Sequence, residues 1–269
     1  MLTQINRYRQ FKSLFSIYIQ DGLAYKASGV IWVLTDVATA ATMPLVLAAA
    51  AGGGEIAGFS RGEFAVYYLT MIMISSFIQC HFMWEVAYEV KEGIFSTQII
   101  RPVGYLMFMT VRNLAWRCIR SLLFAPFLVL LFLAYQPFMD GSTVSITPIG
   151  ILAIILGHIL SFMFVMAFAM LALFLQEVNS IFEIYYFPML FLSGQIFPIA
   201  IFPEWVRNIT YYFPFYYTIA LPTEILVGRL SESAAMPFIY GQVGWIIGSY
   251  LAFRVMYHYG TRFYSGVGM

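Results

Sequence analysis

Charge is what this sequence has least of. Only 13 acidic and 14 basic residues occur among 269, 10% of the chain, for a formal net charge of +1. A soluble domain carries about 25% charged residues, so the polar coat of a water-soluble fold is missing. The near balance of signs also leaves no electrostatic footprint for nucleic acid. Lysine is rarer still: Lys12, Lys26 and Lys91 are the whole complement, and none completes a G-x-x-x-x-G-K-[ST] loop. A P-loop for ATP is therefore excluded. Two cysteines, Cys80 and Cys118, and three histidines are too few and too scattered for a disulfide framework or a metal cluster.

What fills the space is apolar. Hydrophobic residues make up 61% of the chain and aromatics 19%, with a mean hydropathy of +0.81. That excludes disorder, which needs low hydrophobicity and high charge. An integral membrane protein remains. Crossing a hydrocarbon core of roughly 30 Å takes about 20 mostly apolar residues. Six runs meet that need: 27–51, 64–84, 112–133, 148–175, 181–201 and 238–257. They are continuous, as in Leu128-Val129-Leu130-Leu131-Phe132-Leu133, whereas barrel strands alternate over about 10 residues. The spans are predicted to be helices.

Basic residues orient them. With the N-terminus inside, 11 of the 14 (Arg7, Arg9, Lys12, Lys26, Lys91, Arg101, Arg112, Arg117, Arg120, Arg254, Arg262) fall on the inner side and 3 (Arg61, Arg207, Arg229) on the outer side. The positive-inside rule selects this topology, with both termini cytoplasmic in a multi-pass cell (inner or plasma) membrane protein. The first run lacks a small-residue cleavage site and reads as an uncleaved anchor. Both cysteines then fall at inner ends of helices, where a disulfide is not expected.

Three segments outside the runs are distinctive. Residues 1–24 contain a helix with Ile5, Tyr8, Phe11, Leu14, Phe15, Tyr18 and Ile19 on one side and polar residues on the other, Ile17 being the misfit. That pattern suits the membrane interface. Residues 85–105 begin the most charged inner segment, with Glu85, Glu89, Lys91, Glu92 and Arg101, and are expected to form a short helix broken at Gly93 and again before Pro102. Arg112, Arg117 and Arg120 share one side of the following helix and should face cytoplasm, headgroups or protein interior, not lipid tails. Residues 188–230 hold Pro188, Pro198, Pro203, Pro214 and Pro222 among many aromatics. One straight helix is impossible at that proline density, so short re-entrant helices at the outer face are expected.

Two local motifs are specific. One is Glu89-Val90-Lys91-Glu92-Gly93 followed by Ile99-Ile100-Arg101-Pro102-Val103; the other is Ser193-Gly194-Gln195-Ile196-Phe197-Pro198 with Phe202-Pro203-Glu204-Trp205 and Phe213-Pro214. Together with the layout, they make the whole chain (1–269, a single permease domain) resemble the permease subunit of type-2 ATP-binding-cassette exporters. Ile100 stands where that family usually has leucine. The resemblance implies an all-α membrane protein with a connecting helix, six spans and broken helices between spans five and six. It also implies that a second permease, identical or homologous, completes the translocation pathway. Separate cytoplasmic ATPase subunits would hold ATP and Mg, and this chain would bind no cofactor itself. Glu89, Lys91, Glu92, Gly93, Arg101 and Pro102 would couple to the ATPase, and Ser193, Gly194, Phe197 and Pro198 would lie at the pathway or gate.

Asp36, Glu183 and His158 lie inside runs one, five and four. Such groups should face the bundle or pathway. Asp36 and Glu183 are pathway candidates; His158 reads as a satisfied packing residue. Rival functions are a membrane enzyme, a secondary transporter and a scaffold subunit. No H-E-x-x-H occurs, and a Ser193–His158 pair would lack the leading glycine at Phe191. No internal repeat supports an inverted-repeat transporter.

Overall fold

The computed structural model describes residues 7–24, 26–50, 54–139, 141–175 and 178–264, with the side chains of 7, 26–28, 32, 33, 35–37, 39, 40 and 48 outside the description. Among the described residues the chain is helical, without a strand. Its α-helices are α1 (Arg7–Ala24), α2 (Lys26–Ala50), α3 (Arg61–Ile78), α4 (Met83–Lys91), α5 (Ile94–Ile99), α6 (Tyr105–Tyr135), α7 (Pro148–Ala169), α8 (Asn179–Leu192), α9 (Glu204–Thr210), α10 (Leu221–Leu226) and α11 (Glu232–Phe263).

Local chemistry sets several of these ends. Ser60 and Glu63 form a reciprocal capping box at the start of α3. Thr147 caps α7 ahead of Pro148, and Ser231 caps α11. Each cap satisfies amides that a helix start leaves open. Among the described residues, three stretches are long and apolar enough to cross a membrane: Arg61–Lys91, Tyr105–Phe138 and Pro148–Leu173. The other apolar runs map onto α2, α8 and α11.

Two runs differ from their sequence pattern. The run at 64–84 is interrupted, because Gln79 adopts extended backbone and the helix resumes only at Met83. The run at 181–201 is α-helical only to Leu192, with a single 3-10 turn at Ile199–Ile201. There Gly194 takes φ +77°, a left-handed turn that favours glycine, and Pro198 has no amide to continue the ladder. At 1.5 Å per residue, the 14-residue α8 spans only about 21 Å.

The bundle is centred on α7, which packs along α11 and crosses α3 and the π-helical turn Tyr216–Ala220. Small residues permit the close approach: a Cβ on Gly157 would lie 2.6 Å from the Thr218 carbonyl. Gln242 of α11 donates to the carbonyls of Ala153 and Tyr217 at 2.9 and 2.8 Å, tying the three elements together. The amphipathic α1 lies against the start of α6, with Leu14 and Tyr18 packed into the core and Tyr8 and Ile17 exposed. Ile5 lies outside the described residues.

Candidate functional site

Two places gather the candidate residues. The first is the segment from α4 to Pro102. Gly93 takes φ +73° and turns α4 into the six-residue α5, which stops before Pro102. Phe95 anchors α5: it is fully buried, with the rings of Tyr105 and Tyr264 each 5.2 Å away. Ser96 donates to the Tyr264 hydroxyl, which donates to the Val90 carbonyl, at 3.2 and 3.4 Å. The end of α11 is thereby fastened to the α4–α5 corner.

The predicted coupling residues divide in two. Glu89 is buried and accepts from Arg112 of α6 at 2.6 Å, while Glu85 takes the other arm of the same guanidinium at 2.5 Å. Arg112 also lies 5.9 Å from the ring of Tyr18, and Arg101 lies 5.2 Å from that of Phe108. Burial raises the Tyr18 hydroxyl pKa, with Arg112 and Arg101 opposing the rise. Glu89 is thus an internal strut and Gly93 a turn. Lys91, Glu92, Arg101 and Pro102 are exposed beside Ile94, Ile99 and Ile100, the last 81% exposed. An apolar patch rimmed by both signs of charge is a protein-docking chemistry.

Arg112, Arg117 and Arg120 are all taken up within the protein. Arg112 is spent on the two glutamates, while Arg117 and Arg120 are buried inside the protein.

The second place is the turn that ends α8. Ser193, Gly194 and Pro198 are buried, and Phe197 packs against Phe191 and Phe202. Tyr67 donates to the Gly194 carbonyl at 2.9 Å and Tyr68 to the Ile196 carbonyl at 2.5 Å, so α3 holds the turn. Nearby, Tyr216 donates to Glu224 at 2.8 Å, and burial pushes the Glu224 carboxyl up to about 7 against that bond, Arg229 and Arg207. Arg229 donates to the Gly58 and Ala57 carbonyls at 2.9 and 3.1 Å, covers the Phe59 ring at 3.6 Å and pairs with Glu63 at 3.5 Å. The Ser145 amide donates to the Leu226 carbonyl at 2.7 Å. Three connecting loops therefore meet over this end of the bundle.

Glu183 is not part of that cluster. It is exposed on α8, about 15 Å along the helix from Ser193. The side chain of Asp36 lies outside the described residues. A Ser193–His158 dyad is absent: Ser193 Oγ receives Gln195, and the ring of His158 bonds Asn113 and the Ile78 carbonyl. Among the described residues no group of three metal ligands occurs, and both cysteines are free. Cys80 sits at the break between α3 and α4.

Tyr67, Tyr68, Arg229 and Tyr264 were not singled out by sequence. The tyrosines look like ordinary members of apolar runs, and only their long-range partners distinguish them.

No match was found among curated proteins. The sequence model described as ABC-2 family transporter protein matches residues 37–268, most of the chain. Together with apolar helices long enough to span a bilayer, that match identifies the chain as a member of the ABC-2 family, a membrane permease of an ABC-type transporter.

Proposed function

We propose that the chain is the permease of an ATP-driven exporter, crossing the cell membrane six times with both termini cytoplasmic. A second permease, identical or homologous, completes the pathway, and separate ATPase subunits hold ATP and Mg. The observation that carries this reading is the α4–α5 corner. Its inner side is fixed by Arg112–Glu89 and Phe95, while Ile94, Ile99, Ile100 and Glu92 are exposed and Arg101 is exposed at the edge beside Phe108. A rigidly mounted patch of this kind can receive a push from a partner and pass it to the spans, as coupling between two sites requires. Exposed Glu183 on an apolar helix supports a protein or water neighbour for α8, since a carboxylate is costly against lipid tails. The turn at 193–198, held by Tyr67 and Tyr68, suits a gate at the far end of the pathway.

The test is co-purification of the chain with a cytoplasmic ATPase. Glu92→Ala and Arg101→Ala should each weaken that association and the permease's control of ATP hydrolysis. If both variants behave as the parent does, the coupling assignment is wrong.

A further inference from the structure

Helix α3 does not run into α4. Gln79 leaves the helix with φ −73° and ψ 127°, and the next helix begins at Met83. A helix broken at membrane depth exposes amide and carbonyl groups that lipid cannot satisfy. Side chains from two other helices satisfy them here. Arg117 of α6 donates from Nη1 to the Ser76 carbonyl at 3.0 Å, and the Cys80 amide donates to Ser161 Oγ of α7 at 3.0 Å. His158 of α7 meets the Ile78 carbonyl through Nδ1 at 3.3 Å. A carbonyl only accepts, so Nδ1 carries the hydrogen and Nε2 accepts from Asn113 Nδ2 at 3.2 Å. Asn113 Oδ1 then receives the Cys80 thiol hydrogen at 3.4 Å. This chain of bonds starts and ends on the break itself.

Nothing in the local sequence demands the break. Gln79-Cys80-His81-Phe82 contains neither proline nor glycine. Side-chain bonds here offer the backbone an alternative to the helical ladder. Helix α6 holds both sides of the break, α4 through Arg112 and α3 through Arg117, but the far anchors of the two pieces differ. Tyr67 and Tyr68 join α3 to the 193–198 turn, whereas Phe95 and the Arg112–Glu89 pair join α4 and α5 to the start of α6. Across from Gln79 stands the π-helical turn Tyr216–Ala220, and a cavity of about 10 Å³ lies between them, lined by Gln79, Ser161, Met189 and Thr218. The rings of Phe164, Tyr185 and Phe215 complete its mostly apolar lining.

We infer that residues 79–82 are a pivot at which α4 and α5 tilt as one piece against α3. His158 and Asn113 are its positioning residues: His158 holds the freed Ile78 carbonyl, and Asn113 holds the His158 ring and the Cys80 thiol. The pivot rests on the reading of the α4–α5 corner as the ATPase contact.

The test uses the full chain carrying Cys118→Ser, reconstituted with its co-purifying ATPase. Spin labels go on exposed positions, Met73→Cys on α3 and Tyr88→Cys on α4. Their separation should shift by several ångströms between the nucleotide-free and ATP-bound complexes. A Tyr88→Cys, Ile100→Cys pair, wholly beyond the break, should keep its distance. With Asn113→Leu added, the 73–88 response should be lost while the ATPase still binds; an undiminished response overturns the positioning role. A constant 73–88 distance overturns the pivot. A single label at Ile100 separates the two readings: immobilisation by the ATPase with a fixed 73–88 distance leaves the contact standing and removes the pivot. If the ATPase does not affect the Ile100 label, the contact reading falls, and the pivot as its transmission element falls with it.

Discussion

The hydroxyl of Tyr67 reaches the carbonyl of Gly194 at 2.9 Å, across 127 residues of sequence. Both groups are buried, and a Cβ added at Gly194 would lie 2.5 Å from that hydroxyl. The contact joins the middle of α3 to the turn that ends α8, so two distant runs share one hydrogen bond and one steric constraint.

Gly194→Ala should therefore be much worse than Gly141→Ala, although both glycines have positive φ, +77° and +79°. Nothing lies within 4 Å of a Cβ at Gly141. Backbone strain alone costs about 1–2 kcal/mol at Gly141, and strain plus overpacking roughly 2–4 kcal/mol at Gly194. Tyr67→Phe leaves a buried carbonyl without its donor and should cost about 1–3 kcal/mol. Thermal melting of the three variants in detergent checks the order. Equal losses for the two glycine variants would remove the steric argument.

Arg112 should matter more than either glutamate it holds. The side chain of Glu89 is 11% exposed and that of Glu85 58%. Arg112→Ala strands the buried Glu89 carboxylate and should cost about 3 kcal/mol. Glu85→Ala gives up a largely exposed pair, at under about 1 kcal/mol. Melting temperatures report the difference. Comparable losses would mean that Glu89 finds water once Arg112 is gone.

Stability should fall as pH rises through the range in which Glu224 ionises. Its carboxyl lies near 7 in the folded protein against an ordinary value of 4.5, because burial disfavours the charged form. Between those values the folded state holds a proton that the unfolded chain has released. This stabilisation is complete below about 4.5 and is lost as pH climbs through about 7. Glu224→Gln should flatten that part of the profile of melting temperature against pH. A variant curve parallel to the parent's would show that Glu224 ionises normally.

A cysteine placed at Ser231, ahead of α11, should react with an impermeant maleimide added to intact cells, and one at Ser96 on α5 should not. Labelling in the reverse pattern would invert the proposed topology.

Much of the architecture is legible in the residues because membrane insertion leaves strong marks. Long apolar runs, scarce charge and lopsided basic residues point to helical spans and to the polar segment 85–105. Gly93 and Pro102 mark where its short helix starts and stops, and Ser193-Gly194 with Pro198 mark where run five fails. The interruption at 79–82 leaves no such mark. Gln79 and Cys80 carry neutral helix propensities, and the reason for the break sits on α6 and α7, more than 30 residues away. The sequence marks His158 as a satisfied packing residue. It is satisfied, but by Asn113 and the Ile78 carbonyl of the break.

Composition and periodicity by themselves determined that this chain lives in a bilayer as helices, because burying apolar surface and pairing backbone groups are requirements each segment must meet alone. Which charges are internal struts and which are exposed was decided only by the tertiary structure. Glu89 and Glu92 stand three residues apart in one motif, yet one is locked to Arg112 inside the protein and the other faces out. Residues three apart would share a face of one helix, but α4 ends at Lys91 and the chain turns at Gly93, so Glu92 stands at the corner while Glu89 stays against α6. The sequence names the charged residues; only packing tells which side each one occupies.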